Sequence, residues 1–261
     1  MTKHSEISAA NMSLAPTPEG GHTDTSVRCR LVLVLTGEQL AVFAKDAPRV
    51  LENALSGGDV SSVVLSQNTL DEAEFTELVR PCVEAVQQMN VAAIIAGDPR
   101  VAGRCGADGI QYGQDLEGVR DGVDRYAPKF MIGAGNIRSR HNALIIGEAQ
   151  PDYIMFGKPG GDTQAPPLPR NLELGAWWSA MIEIPCLVMG GTAVDSVVEV
   201  SSTGAEFVCL GHAIFGPKES PIPVLEGNDT PASRVAKANE LLDAQAPLLL
   251  EADEKRRDVR A

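Results

Sequence analysis

From Arg30 onward the chain alternates short, uniformly apolar runs with segments of helical length, and this alternation limits the fold more than any other feature. The runs are 31–35, 61–65, 91–96, 109–111, 130–132, 153–156, 186–189 and 207–210. Most are too evenly apolar for a sheet wetted on one face. Parallel strands covered on both faces read this way. Between them, 71–89 sets Phe75, Leu78, Val79, Cys82 and Val86 along one helical stripe, with Asp71 as its cap and Glu74 completing a box-like start. Residues 194–202 and 232–244 have similar patterns. Eight strand–helix units in 261 residues predict a single (β/α)8 TIM barrel, a fold of roughly 250 residues. An open doubly wound sheet is the competing arrangement of the same units. Residues 1–27, rich in Ser, Thr, Pro and Gly, read as a disordered tail, 28–248 as the barrel, and 249–261 as a charged C-terminal tail.

Composition sets the partners. Hydrophobic residues make up 44% and aromatics only 4%, so the predicted core is sizeable and built of Val, Ile, Leu and Ala. The net charge is −13; removing the −2 of residues 1–27 leaves −11, and the last eleven residues balance four acids with four bases. An acidic folded surface repels nucleic acid and anionic membranes, so neither is an expected partner. Any phosphate ligand must be held by local donors, not by a basic field. A homo-oligomer is compatible with this composition. The five cysteines are scattered, without a C-x-x-C pair, which argues against a disulfide framework or zinc site and for a reducing cytoplasm. No run reaches the roughly 18 apolar residues of a membrane span, and residues 1–27 lack an apolar signal core.

In such barrels ligands sit at the C-terminal ends of the strands. Gly190, Gly191 and Thr192 follow the seventh run, and Gly211 and His212 follow the eighth. Glycine lets the backbone approach an anion, and two adjacent loops of this kind point to a phosphate cradle; tight turns alone would use the same glycines. Asp98 and Asp115 follow the third and fourth runs. They are candidate Mg2+ ligands, or caps of the helices that begin there. Gln114 offers an amide edge to a heterocycle. Lys158, in the glycine-rich stretch 157–163, is a candidate catalytic cation beside Asp115, or a solvated lysine. His141 falls in a helical pattern, and no Ser-His-Asp, H-E-x-x-H or Walker sequence is present.

The stretch Gly106-Ala107-Asp108-Gly109-Ile110-Gln111-Tyr112-Gly113-Gln114-Asp115 resembles the G-A-D-G-[VI]-H-L-G-Q-[ED]-D motif of the thiamine phosphate synthase and thiazole tautomerase family. Residues 152–157, 184–191 and 204–208 match in order and spacing, so the resemblance spans roughly Arg30 to Gly216. It implies a barrel that joins an aminopyrimidine methyl diphosphate to a thiazole phosphate with Mg2+, releasing pyrophosphate.

The chain departs from the family at several chemical positions. The family's Q-x-R-x-K at strand two reads Val64-Leu65-Ser66-Gln67, and no Lys or Arg lies between Arg49 and Arg80. The N-D after strand three is Gly97-Asp98. The final acid of G-Q-[ED]-D is Leu116. The G-x-S after strand five is Gly133-Ala134-Gly135-Asn136, and the T-x-T-K loop is Asp162-Thr163-Gln164-Ala165. The tautomerase histidine corresponds to Asn136-Ile137. Two readings follow: a divergent enzyme acting on a phosphorylated heterocycle, or a barrel that binds such a ligand after losing catalysis.

Overall fold

The computed structural model describes residues 28–217, 219 and 228–260, with side chains described as far as 246. The predicted tail 1–27 lies outside the described residues. Eight parallel strands follow in chain order: β1 (Arg30–Thr36), β2 (Ser62–Ser66), β3 (Ala92–Ala96), β4 (Gly109–Tyr112), β5 (Met131–Ala134), β6 (Tyr153–Phe156), β7 (Cys186–Met189) and β8 (Phe207–Leu210). β1 pairs with β8, Leu31 beside Val208 and Leu33 beside Leu210, so the sheet closes into a barrel and the open-sheet alternative is excluded.

The two-residue period sorts the side chains. Val32, Val34, Val64, Ile94 and Leu187 point into the barrel, while Leu33, Val63, Ile95, Ile110 and Val188 face the helices; all are buried. β5 ends later than the apolar run 130–132 implied. Gly133 and Ala134 add little hydrophobicity, yet they pair with Gln111 and Tyr112. Gly133 has to be small, because a side chain there would collide with the ring of Tyr153, which fills the barrel from β6.

The surrounding helices are α1 (Gly37–Phe43), α2 (Ala47–Leu55), α3 (Glu72–Gln88), α4 (Pro99–Cys105), α5 (Leu116–Tyr126), α6 (Arg140–Gly147), α7 (Pro169–Met181), α8 (Val197–Ser201), α9 (His212–Phe215) and α10 (Pro231–Arg260). Asp71 caps α3 as expected, accepting from the Glu74 amide at 2.9 Å. The full capping box belongs to α1, where Thr36 and Gln39 serve each other's backbone. The predicted segment 194–202 divides into a 3-10 turn, Val194–Ser196, and the short α8. α10 continues past the compositional boundary at 248 to Arg260. Trp178 of α7 is fully buried and donates to the Ile184 carbonyl at 2.7 Å, which fixes α7 against the β6–β7 side of the barrel. The five cysteines are buried and unpaired, and burial pushes the Cys29 and Cys82 thiols up to about 12. Among the described residues no helix is long and apolar enough to cross a membrane.

Candidate functional site

The barrel mouth has two different edges. At the β7–β8 edge, the loop that leaves β6 crosses over the glycines assigned to a phosphate. The Thr192 amide donates to the Gln164 carbonyl at 2.8 Å and the Ala193 amide to Ala165 at 3.4 Å. The Gly191 amide is taken by Ser196 Oγ at 3.0 Å, and the Gly190 amide by the Cys209 carbonyl at 2.9 Å. A side chain at Gly191 would collide with the Ala165 carbonyl. The close approach that Gly191 permits is therefore to this chain's own backbone in the conformation described. Thr192 also lines an open groove with Asp229, Arg234 and Lys237 of the α10 region.

The same loop delivers Asp162, a residue that sequence reasoning did not single out. It is 3% exposed, and its Oδ2 accepts from the His212 amide at 2.6 Å. His212 Nδ1 lies 2.7 Å from the Asp162 carbonyl oxygen and 3.4 Å from Oδ1. An internal carboxylate thus occupies the donor-rich start of α9, where an anion was expected. Burial raises the Asp162 pKa above the ordinary carboxylate range; His212 and the nearby amides of His212, Asp162 and Gly211 offset only part of that rise.

At the β3–β4 side, both candidate metal ligands act as helix caps. Asp98 accepts from the Arg100 amide at 2.8 Å and Asp115 from the Gly118 amide at 3.1 Å. Asp98 is further engaged by the Arg100 guanidinium, at 3.1 Å from Nε and 2.7 Å from a terminal nitrogen. Those hydrogen bonds hold its carboxyl below the ordinary range. A magnesium ion needs near-octahedral oxygen coordination, drawn in part from one or two free carboxylates. Here one carboxylate already faces a guanidinium and the other closes a helix. No group of three or more metal-ligating side chains occurs among the described residues. The pair as arranged does not fit Mg2+. Gln114 is exposed at the start of the same loop. The amide held inside the barrel is instead Gln111, 4% exposed, which accepts from Tyr153 Oη at 3.0 Å.

The β5–β6 edge is open. A cavity of about 80 Å³ is lined by Asn136, Arg138, Lys158, Arg170 and Asn171, with Ile137, Gly157, Gly161, Leu168 and Met189 supplying its walls. Lys158 is exposed at its rim. Arg138 and Arg170 were not expected there: they stand apart in sequence, and only the adjacency of β5, β6 and α7 brings them together.

The family model described as thiamine monophosphate synthase matches residues 32–214, from β1 through α9. The chain belongs to the thiamine monophosphate synthase family. Its relatives include a thiamine-phosphate synthase of Rhodospirillum centenum, 32% identical over 66% of this chain and 83% of that protein. Another, from Hyphomonas neptunium, is 30% identical over 76% of this chain and 93% of its own length. Among solved structures, a thiamine phosphate pyrophosphorylase of Pyrococcus furiosus superposes with a TM-score of 0.64 at 19% identity, covering 84% of this chain and 97% of its own. That likeness extends to the fold alone. In this barrel the β2 end carries no Lys or Arg, and the loop after β6 brings Asp162 onto His212.

Proposed function

We propose that the chain serves thiamine biosynthesis as a thiamine phosphate synthase-type barrel, binding a phosphorylated thiazole or related heterocycle at the C-terminal mouth. The observation that carries this reading is the family match over the whole barrel, which includes every strand end that faces the mouth. The parent reaction joins an aminopyrimidine methyl diphosphate to a thiazole phosphate. In that reaction the departing diphosphate has to be stabilised by cations as its bond breaks. The β2 end supplies none, because Ser66 and Gln67 are neutral: Ser66 Oγ donates to Asn68 and the Gln67 amide to the Leu70 carbonyl. Lys158 is the cation from the β6 loop that stands nearest in role to those the family uses, and Asp115 is left to position α5. Coupling is therefore slow by the family's standard, and ligand binding outlasts it.

The buried, unpaired thiols suit a reducing compartment, and we place this work in the cytoplasm. Two measurements test the reading together: growth of a thiamine-requiring strain lacking its own synthase when it carries this chain, and calorimetry of the purified protein with thiazole phosphate. Growth, or saturable binding, supports it. Failure of both growth and binding overturns it.

A further inference from the structure

Four large apolar side chains stand exposed among the described residues: Val42, Met89, Leu144 and Met181. Val42 is on α1 and Met89 stands at the end of α3, whereas Leu144 and Met181 lie on neighbouring helices, α6 and α7. Met181 is the most open of the four, at 70% exposure.

α6 and α7 follow the adjacent parallel strands β5 and β6, so they run side by side in the same direction. Two contacts tie them together. The Arg140 guanidinium lies 5.1 Å from the centre of the Trp177 ring, a cation–π contact. At the other end of α6, a Cβ at Gly147 would stand 2.9 Å from the Trp178 ring. Leu144 is one turn past Arg140 and Met181 one turn past Trp177, so the two apolar groups are neighbours on the outer wall of the barrel. Trp, Met and Arg are side chains that protein interfaces favour.

The order of charges on α6 is self-complementary. Arg140, Leu144 and Glu148 are spaced i, i+4, i+8 and form one ridge of the helix. Glu148 belongs to that ridge, because it keeps right-handed helical dihedrals and its amide donates to the Leu144 carbonyl at 3.0 Å. All three side chains are exposed. The ridge reads positive, apolar, negative, and reversed it is its own complement. A twofold axis through Leu144 would set Arg140 of each copy against Glu148 of the other and pack Leu144 on itself. Such a contact is isologous, as in symmetric dimers. Two bodies of net charge −13 repel, so they meet only where opposite charges are matched locally.

We propose that the α6–α7 face is a homodimer interface. Two copies of this chain pair antiparallel along the Arg140–Leu144–Glu148 ridge, with Trp177 and Met181 flanking it. The contact is made by the helix layer and not by the barrel mouth, so it is independent of the proposed function.

The test is sedimentation velocity of the full chain from micromolar to hundred-micromolar concentration. Wild type sediments as a dimer at the upper end of that range. Leu144→Glu puts two carboxylates on the axis and weakens association at least roughly tenfold. Arg140→Glu and Glu148→Arg, made singly, each bring like charges together twice and weaken it by about tenfold. The double variant Arg140→Glu, Glu148→Arg restores the complement in the opposite sense and returns association to within about threefold of wild type. Residues 140 and 148 are two turns apart in one copy, so only pairing between copies couples them. Each charge change suits the helix dipole, and the variants keep a melting temperature near that of wild type. Three results overturn the interface: a monomeric wild type at hundred-micromolar concentration, a dimer unaffected by Leu144→Glu, or a double variant no tighter than the single ones.

Discussion

The β7–β8 and β5–β6 edges of the same barrel mouth solve opposite problems. At β7–β8 the backbone offers amides, and the chain uses them itself: Gln164, Ala165, Ser196 and Asp162 take up Thr192, Ala193, Gly191 and His212. At β5–β6 Arg138, Lys158 and Arg170 line the cavity without a carboxylate partner among the described residues, and the buried Asn171 Oδ1 has no hydrogen bond. The difference turns on a single loop. Residues 157–168 leave β6 beside the cavity, contribute Lys158 to its rim, and then cross to close the other edge. Each edge keeps one buried acceptor without a hydrogen bond, Asp162 Oδ1 at β7–β8 and Asn171 Oδ1 at β5–β6, so the edges differ in whether the chain covers its own backbone amides.

The largest expected effect is at the crossing itself. Gly191→Val should lower unfolding free energy by at least about 1–3 kcal/mol, because the side chain must displace the Ala165 backbone. Gly113→Ala, at the β4 end with open space around it, should stay within roughly 0.5 kcal/mol. Urea denaturation of both separates a packed edge from a free one; equal midpoints would mean that the β6 loop does not rest on Gly191.

A second effect sharpens the role of Asp162. Its folded-state pKa is raised, so the folded protein holds that proton more tightly than the unfolded chain does. Its contribution to stability is therefore full below the ordinary carboxylate range and is lost as pH rises through the raised value. Asp162→Asn should melt a few degrees above wild type at neutral pH, with the difference shrinking toward pH 4. A variant less stable than wild type at neutral pH would show instead that the carboxylate's bond to the His212 amide outweighs its burial.

A smaller effect concerns metal. Millimolar Mg2+ should leave the melting temperature of the ligand-free protein unchanged, since Asp98 is engaged by Arg100 and Asp115 by Gly118. Asp98→Asn, which keeps a capping oxygen and loses an exposed ion pair, should cost less than about 1 kcal/mol. A magnesium-dependent rise of several degrees would contradict both expectations.

How much of this could be read in advance follows the distance over which each feature acts. β6, β7 and β8 carry the boundaries of their apolar runs, and Asp71, Asp98 and Asp115 cap helices that begin within three residues of them. These are local effects, and sequence reports them. Asp162 meets His212 across 50 residues, and Arg138 and Arg170 line one cavity although α6 and β6 lie between them in the chain. No periodicity records such meetings. The glycine pair at 190–191 drew attention for a sound reason, close backbone approach, but the approaching atom is the carbonyl oxygen of Ala165. Gln111 was hidden by its place inside an apolar strand, where only the inward period and the neighbouring Tyr153 give it a partner.

The central claim is that the loop leaving β6 rests on the β7–β8 edge and that Gly191, Thr192 and His212 give their amides to this chain's own acceptors. The most direct measurement is amide hydrogen exchange in the full-length protein. The account predicts slow exchange at Gly191, Thr192 and His212 in the wild type, and faster exchange at Thr192 and His212 in Gly191→Val, whose side chain displaces the Ala165 backbone. Fast exchange at all three amides in the wild type would contradict it, because the β6 loop would then leave that edge open.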